Sequence, residues 1–516
     1  MKRIFSILTL IVFALGNTMY GQTTDDALRL SLARPSGTAR SMSLGNAMGA
    51  LGGDFTSLSI NPAGIAVYRS SEFAFTPALH LNQSSTNYYN NTGEDEKLKL
   101  SIQQIGYVGT FKPVREVSNG IVSTHFAIGY NRNNSFNRNS YFMANGVQSS
   151  LMDEVVYFAD NLAPSSLQSR QRLFYDAYLI DPMAEQDENA TIPSAYYHAF
   201  EDIDEEGPFW PHQDYGINQR RLIQEQGNSG EFVLSGGLNI SNMLYLGATV
   251  GIDTQSYERT LNHYEQVNPN NTDWDYLDHY TLTEELRSNA IGANLKVGII
   301  YKPINAIRIA TAVHLPTFYS VDEEYAYSVD LPNGFADYQN YYTPQYEFSY
   351  NFTTPFKFVQ SVGFIFGNKG LLSADYEFTD YSSMKFKAKG TNLGIRDDLS
   401  FFNQQIDDTF RGSHNLRIGA EIKPTEVLSL RGGWGILTSP YQSNFLNSDD
   451  THFTYSLGMG FRMNNMFVDL GYMLRQEKST YSLYYSAADY MSDEDQEPAN
   501  LKYNNHQVAL TLGWRF

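Results

Sequence analysis

From Ser71 to the C-terminus the chain alternates apolar with polar or small residues, the period-two pattern of strands that have one greasy face. Ile291, Ala293, Leu295, Val297, Ile299 and Tyr301 interleave with Gly292, Asn294, Lys296, Gly298 and Ile300. The same rhythm runs through Ile307 to Leu315, Leu416 to Ile422, Phe453 to Phe461 and Val508 to Phe516. A β-sandwich would alternate in the same way, with its charges turned outward. Segments of about 10 to 15 residues, however, exceed the sandwich mode and match tilted membrane-crossing strands.

The spacing of these segments predicts about fourteen strands, an even number joined alternately by short and long connections. The first runs from Phe73 to Leu81 and the last from Tyr503 to Phe516. Tight turns fall at Ser241-Asn242-Met243, Gly367-Asn368-Lys369-Gly370 and Asn464-Asn465, while Asn82 to Lys97 and the stretch before Leu286 read as polar loops. The longest connection, Arg132 to Gly230, separates the third strand from the fourth. Within it Leu151, Val155, Phe158 and Leu162 share one helical face. Hydrocarbon offers the backbone no hydrogen-bond partner, so strands of this kind must close into a barrel. Strand-end aromatics such as Tyr301, Tyr319, Tyr381, Tyr472 and Trp514 suit the interfacial girdles of such a barrel.

The strand pattern is absent from Ser36 to Arg69, which is rich in small residues and closes on Asn61-Pro62-Ala63-Gly64. Gly45, Gly49 and Gly53 punctuate it, and Met42, Leu44, Met48, Leu51, Phe55, Leu58 and Ile60 demand burial. A phosphate loop needs Gly-Lys-Ser/Thr, and Asp54 stands where that lysine would be. The segment reads as a compact plug.

Composition narrows the setting. The chain has 516 residues, 37 Tyr against 4 Trp, no Cys and a formal net charge of -20. That charge argues against nucleic acid as a partner, and the missing cysteines exclude disulfides and thiolate chemistry. Lys2, Arg3 and the apolar run Ile4 to Leu15 form a secretory signal, with a plausible cut after Gly21. The expected organisation is therefore a signal peptide over residues 1–21, a hatch over 22–70 and a barrel over 71–516, with residues 132–230 as a long extracellular loop insertion.

Candidate chemistry is sparse. His198, Glu201, Asp202, Asp204, Glu205, Glu206 and His212 are ligand types without a metal-site spacing, and they read as a hydrated acidic loop. His125 and His314 fall on strands with no Gly-x-Ser-x-Gly elbow, so no catalytic residue, metal or cofactor is expected. Arg308, Asp375, Glu377, Arg417, Glu421, Lys423, Arg431, Asp469 and Arg515 would face the lumen. Their mixed signs suit contacts to a plug better than an ion-selective pore.

Ser36-Gly37, Leu44-Gly45-Asn46-Ala47, Ala50, Gly53-Asp54 and Asn61-Pro62-Ala63-Gly64-Ile65 resemble the N-terminal hatch of the FadL/TodX outer-membrane transporters of hydrophobic compounds. The final Phe516, ending an alternating strand, resembles the sorting signal read by the barrel-assembly machinery. The resemblance implies a fourteen-stranded all-β barrel in the bacterial outer membrane, plugged by its N-terminus and surrounded by outer-membrane lipid. It further implies passive uptake of long-chain fatty acids or other hydrophobic small molecules, caught by extracellular loops and released sideways through the wall as the hatch rearranges. The hatch residues Gly45, Gly49, Gly53, Asp54, Asn61, Pro62 and Ala63 would gate. In this chain the longest loop follows the third strand, whereas the family captures ligand mainly with later loops. Phe158, Phe174, Tyr197, Phe209 and Trp210 are its candidate ligand contacts. Two other readings are a surface adhesion or structural barrel binding a partner through acidic loops, and a general porin.

Overall fold

The computed structural model describes residues 24–113, 119–183, 195–204, 207–209, 216–270, 276–336, 339–390, 393–484 and 497–516. The signal segment, Trp210 and His212 lie outside these, and the side chains of residues 202–209 are likewise not described.

Fourteen antiparallel staves close into a barrel. Staves 1 and 2 are Glu72–Tyr88 and Asn91–Phe111, and stave 3 is Ile121–Ser135 continued by Arg138–Val147. Staves 4 to 6 are Ile217–Ile240, Leu244–Val267 and His279–Ile304. Three neighbours come in two pieces each: stave 7 as Ile307–His314 and Phe318–Asp330, stave 8 as Tyr346–Thr353 and Lys357–Ile365, and stave 9 as Gly370–Asp380 and Lys385–Ala388. Staves 10 to 14 are Gly412–Ile422, Leu428–Leu437, His452–Met463, Met466–Tyr481 and Ala499–Arg515. Stave 14 pairs with stave 1 from Glu72↔Arg515 to Asn87↔Asn500, which closes the cylinder.

Alternation sorts the side chains as a membrane barrel requires. Leu100, Phe232, Ile291, Val297, Leu457 and Val508 are exposed on the outside, while Glu231, Asp375, Glu421 and Arg431 are buried within. Higher on stave 4 the outward residues turn polar at Arg220, Gln224 and Gln226, so this stave rises beyond the apolar belt.

The structure extends several staves past their sequence boundaries. Asn82 to Lys97, expected as a loop, is strand on both sides of a Tyr89-Asn90 turn, and staves 5 and 6 run on to Val267 and from His279. Above the belt both faces meet water or cap residues, so the period-two signal fades although the ladder continues. Strand likewise reaches Val147 and resumes at Ile217, which narrows the connection after stave 3 to residues 148–216. Its described residues fold over the barrel mouth as a cap with its own core, in which Leu151, Val155, Leu173, Phe174 and Phe200 pack against Tyr280 and Leu282. The expected helix is present as α3 (Leu151–Ala159), with a capping box between Ser150 and Asp153, and is followed in the cap by α4 (Ser169–Asp176).

Candidate functional site: the hatch and the wall around it

The plug begins with α1 (Thr24–Ser31), continues through α2 (Ala39–Ser43), and ends in the 3₁₀ turns Phe55–Ser59 and Pro62–Val67. Its apolar residues Met42, Leu44, Met48, Phe55 and Leu58 are fully buried. Asp54 ties the plug to itself. It accepts the Thr38 hydroxyl at 2.8 and 2.7 Å and the Thr56 N–H at 3.0 Å. As an N-cap it also offsets the free N–H groups of the following turn.

Of the other expected gating residues, Gly45, Gly49, Asn61, Pro62 and Ala63 sit where plug meets wall, whereas Gly53 lies within the plug. Gly45 donates its N–H to Ser456 Oγ at 3.0 Å, and Gly49 donates to Asp375 Oδ2 at 2.9 Å. Gly53, with φ of 63°, donates to Gly64 O at 3.0 Å and turns the chain back on itself. Asn61 Nδ2 donates to Gly49 O at 2.8 Å and across to Ile299 O of stave 6 at 3.3 Å, while its Oδ1 accepts Ala63 N–H at 3.0 Å. Pro62 opens the last 3₁₀ turn, where its missing N–H costs nothing.

Two wall residues essential to this fit carry no sequence signal of their own. A Cβ on Gly298 would run into Asn61 Oδ1, and one on Gly247 would run into the Pro62 carbonyl. Within an alternating strand each reads only as a small residue. Their role becomes legible once a plug is known to lie against them.

The lumenal charges anchor the plug and one another. Arg308 donates to Leu51 O, Arg431 bridges Glu421 at 2.7 Å and Asp469 at 2.5 Å, and Arg417 meets Glu377 at 3.2 Å. Lys423 lies 3.5 Å from Glu421, and Arg515 lies 2.9 Å from Glu72. Buried charges held in this way keep partners that water would otherwise supply. Of the two strand histidines, His314 Nε2 meets Ile60 O at 2.8 Å, and His125 lies between Ser123 at 2.8 Å and Thr110 at 3.1 Å. Neither contact assembles a nucleophile, base and carboxylate in line. Among the described residues no group of His, Asp and Glu gathers as a metal-ligand set.

Helix α1 fills an apolar chamber below the cap. Ala27 and Leu30 pack with Tyr319, Val321, Tyr350, Phe352, Leu399 and Ile406, the last two from α5 (Leu393–Thr409), a helix that sequence periodicity did not reveal. Arg29 meets Asp26 at 2.9 Å and Glu323 at 3.2 Å, and its guanidinium lies 4.2 Å from the centre of the Tyr257 ring. Beyond the helix, Ala33 to Pro35 runs between two cavities of about 50 and 60 Å³, each lined by polar and apolar groups alike and bordered by Arg417, Arg475, Lys296 and Lys357.

The same stretch touches an interruption in the wall. The ladder between staves 2 and 3 stops at Gln104↔Asn131, above which residues 91–102 of stave 2 pair, among the described residues, only with stave 1. Side chains bridge the seam there: Arg132 Nε donates to Ile102 O at 3.1 Å, and Asn139 Nδ2 donates to Asp95 Oδ1 at 3.2 Å. The hatch supplies partners to stave 3 in the same place. Arg34 N–H donates to Asn133 O at 3.0 Å, and Ser36 N–H donates to Arg132 O at 3.1 Å.

Of the aromatic candidates in the cap, Phe174 is fully buried with its ring edge-on to Tyr280 at 5.7 Å, whereas Phe158 and Tyr197 are half-buried. Phe209 lies in a three-residue strand paired with Asp202–Asp204.

No protein-family model and no curated protein matches the sequence. Solved structures do match its shape. A FadL homologue from Pseudomonas aeruginosa aligns over 94% of this chain and 100% of its own, with 12% identity and a TM-score of 0.54. The deltaS2S3 mutant of the TodX monoaromatic hydrocarbon channel aligns over 93% and 99%, with 10% identity and a TM-score of 0.50. Barrel closure, the outward apolar belt and this likeness place the chain in a bacterial outer membrane. The chain has the FadL/TodX fold, a fourteen-stave barrel filled from within by its own N-terminal hatch.

Proposed function

We propose that the protein is a passive uptake channel for hydrophobic molecules such as long-chain fatty acids or alkyl-aromatics, caught by the extracellular loops and gated by the hatch. The observation that carries this reading is the convergence at Arg34 to Ser36. One short stretch continues the helix that fills the apolar chamber, and its backbone also pairs with stave 3 at the interrupted seam. An apolar ligand that replaced Ala27 and Leu30 in the chamber would draw on the same burial energy, about 2–3 kcal/mol for a leucine-sized group. Displacement of α1 would loosen Arg34 and Ser36 and free the seam for sideways exit into the membrane. Such a route needs no energy source, because it lowers the barrier at the polar outer leaflet and leaves the equilibrium unchanged.

Relatives in fold bear on the cargo: TodX is described as a monoaromatic hydrocarbon channel. Phe158 and Tyr197 are the cap side chains we assign to capture, because both remain partly accessible. A general porin is disfavoured by a lumen occupied by the hatch and by paired charges. The test is transfer of a fatty acid or an alkyl-aromatic into proteoliposomes containing the purified protein. Faster transfer than in protein-free vesicles, with little ion conductance in planar bilayers, is expected. Absence of both binding and transfer for every apolar ligand tried would overturn the reading.

A further inference from the structure

On a chain with net charge -20, two consecutive outward positions of stave 9 are lysines. Lys385 and Lys387 are exposed while Phe386 between them is 2% exposed, so both ammonium groups project from the outer face of the barrel. Their height is set by register. Lys385 pairs with Thr353 and Lys387 with Asn351, and across stave 8 these pair with Phe318 and Ser320. Phe318 is 61% exposed and, with the exposed Leu315 and Phe356, belongs to the upper edge of the apolar belt. Lys385 therefore stands in the row of Phe318, and Lys387 one row above it, where polar Asn351 and Ser320 are followed by the exposed Ile291 of stave 6 at the upper edge of the belt. That is where hydrocarbon gives way to lipid headgroups.

The platform is rigid. Among the described residues, 385–388 have a strand neighbour on one side only, and α5 takes the other side. Asn403 Oδ1 accepts the Phe386 N–H at 2.7 Å, and Asn403 Nδ2 donates to Phe386 O at 2.9 Å, replacing a neighbouring strand at that residue. The Phe386 ring packs between those of Tyr350 and Phe352, at 5.3 and 5.1 Å. Lys389, next in the series, is held by Asp322 at 3.2 Å, whereas Lys385 and Lys387 have no carboxylate partner among the described residues. Alternate residues on one strand face are about 7 Å apart, so the two cations repel each other. The acidic side chains of Asp322 and Glu347 lie in higher rows and confine the positive charge to the belt edge.

We propose that Lys385 and Lys387, with Phe318 beside them, form a docking surface for a phosphate-bearing glycolipid of the outer leaflet. A phosphate monoester carries about -1.5 to -2 charge and three acceptor oxygens, so one group accepts charge-assisted hydrogen bonds from both ammoniums and relieves their repulsion. The acyl chains of the same lipid lie along Phe318, Leu315 and Phe356, which holds the phosphate at the right height. This surface is on the outside of the barrel and does not depend on what the lumen carries.

Native mass spectrometry of the full-length protein tests the assignment, with bisphosphorylated lipid A, its dephosphorylated form and phosphatidylethanolamine offered separately. The wild type is expected to retain the bisphosphorylated lipid selectively, and the K385E/K387E double variant to lose about 10-fold or more of that retention. K385Q/K387Q should fall in between, and K369E, on the turn at the opposite rim, should retain as much as the wild type. Undiminished retention by the double variant would overturn the proposal. So would equal retention of the dephosphorylated lipid, or displacement by millimolar inorganic phosphate, which would mark a free-anion site instead.

Discussion

Asn61 holds the hatch to the wall with a side chain that both donates and accepts. Replacing it with alanine leaves the Gly49 and Ile299 carbonyls without that donor, a cost of about 1–3 kcal/mol at a buried site. Because this cost falls on the hatch and not on the sheet ladder, Asn61→Ala should assemble as a barrel yet transfer ligand at a changed rate. A heat-modifiability gel and a proteoliposome assay together check this, and an unchanged rate would remove Asn61 from the gate. Gly298→Ala should have a similar effect from the wall side, since its new methyl group collides with Asn61. In the cap, Phe174→Ala should lower cap stability by about 3–5 kcal/mol, the usual cost of emptying a buried aromatic site. Phe158→Ala should leave stability near wild type and slow capture; denaturant unfolding beside uptake kinetics separates the two. Gly45, Gly49 and Asn61 were legible in the sequence because their small or punctuating types cluster in one short stretch. Gly247 and Gly298 were not, because glycine at a lumen-facing strand position announces nothing until its neighbour across the lumen is known.

At the scale of elements, the strands were readable only where one face meets lipid. Leu234, Val297 and Leu457 alternate with polar partners because hydrocarbon demands it, whereas Asn82 to Tyr88 is ladder with no apolar rhythm and reads as loop. Helix α5 escaped for a related reason: its buried Leu399 and Ile406 are two turns apart, and the chamber they cover is supplied by distant staves. The cap carries a pH dependence of its own. Burial pushes Asp160 up to about 6, with Glu201 adding to it, despite the hydrogen bond it accepts from Tyr196 N–H at 2.8 Å. For His198 burial acts downward, but Glu201 and Asp153, the latter 2.7 Å away, outweigh it and hold the imidazole above the ordinary histidine value. A raised carboxyl removes stability as pH climbs from its unfolded value near 4 through about 6. A raised histidine contributes fully below its unfolded value near 6.5 and loses that contribution as pH rises through the folded one. Both signs agree, so hydrogen exchange in residues 151–204, corrected for intrinsic rates, should be slower at pH 5.5 than at pH 8. Asp160→Asn should flatten the lower part of that profile, and an unaltered profile would contradict the assignment.

At the scale of the whole molecule, the barrel and the hatch form one device. The fold was legible from alternation, an even strand count and a plug-like N-terminus, because closure in a membrane leaves few other ways to pair every backbone group. The connection between them was not legible, since nothing in Arg34-Pro35-Ser36 foretells that this stretch pairs with stave 3 beside an interrupted ladder. The chain contains no cysteine, so Ser36→Cys with Arg132→Cys introduces a unique pair that can bind the hatch to stave 3 and release it again. Transfer of a fatty acid or an alkyl-aromatic into proteoliposomes, measured on this variant oxidised and then reduced, tests the hatch-gated route directly. Transfer near that of protein-free vesicles is predicted when oxidised, and transfer at or above the wild-type rate on reduction, because loss of the Arg132 side chain also removes its bond to Ile102 O across the seam. Equal rates in the two states would contradict the hatch-gated route.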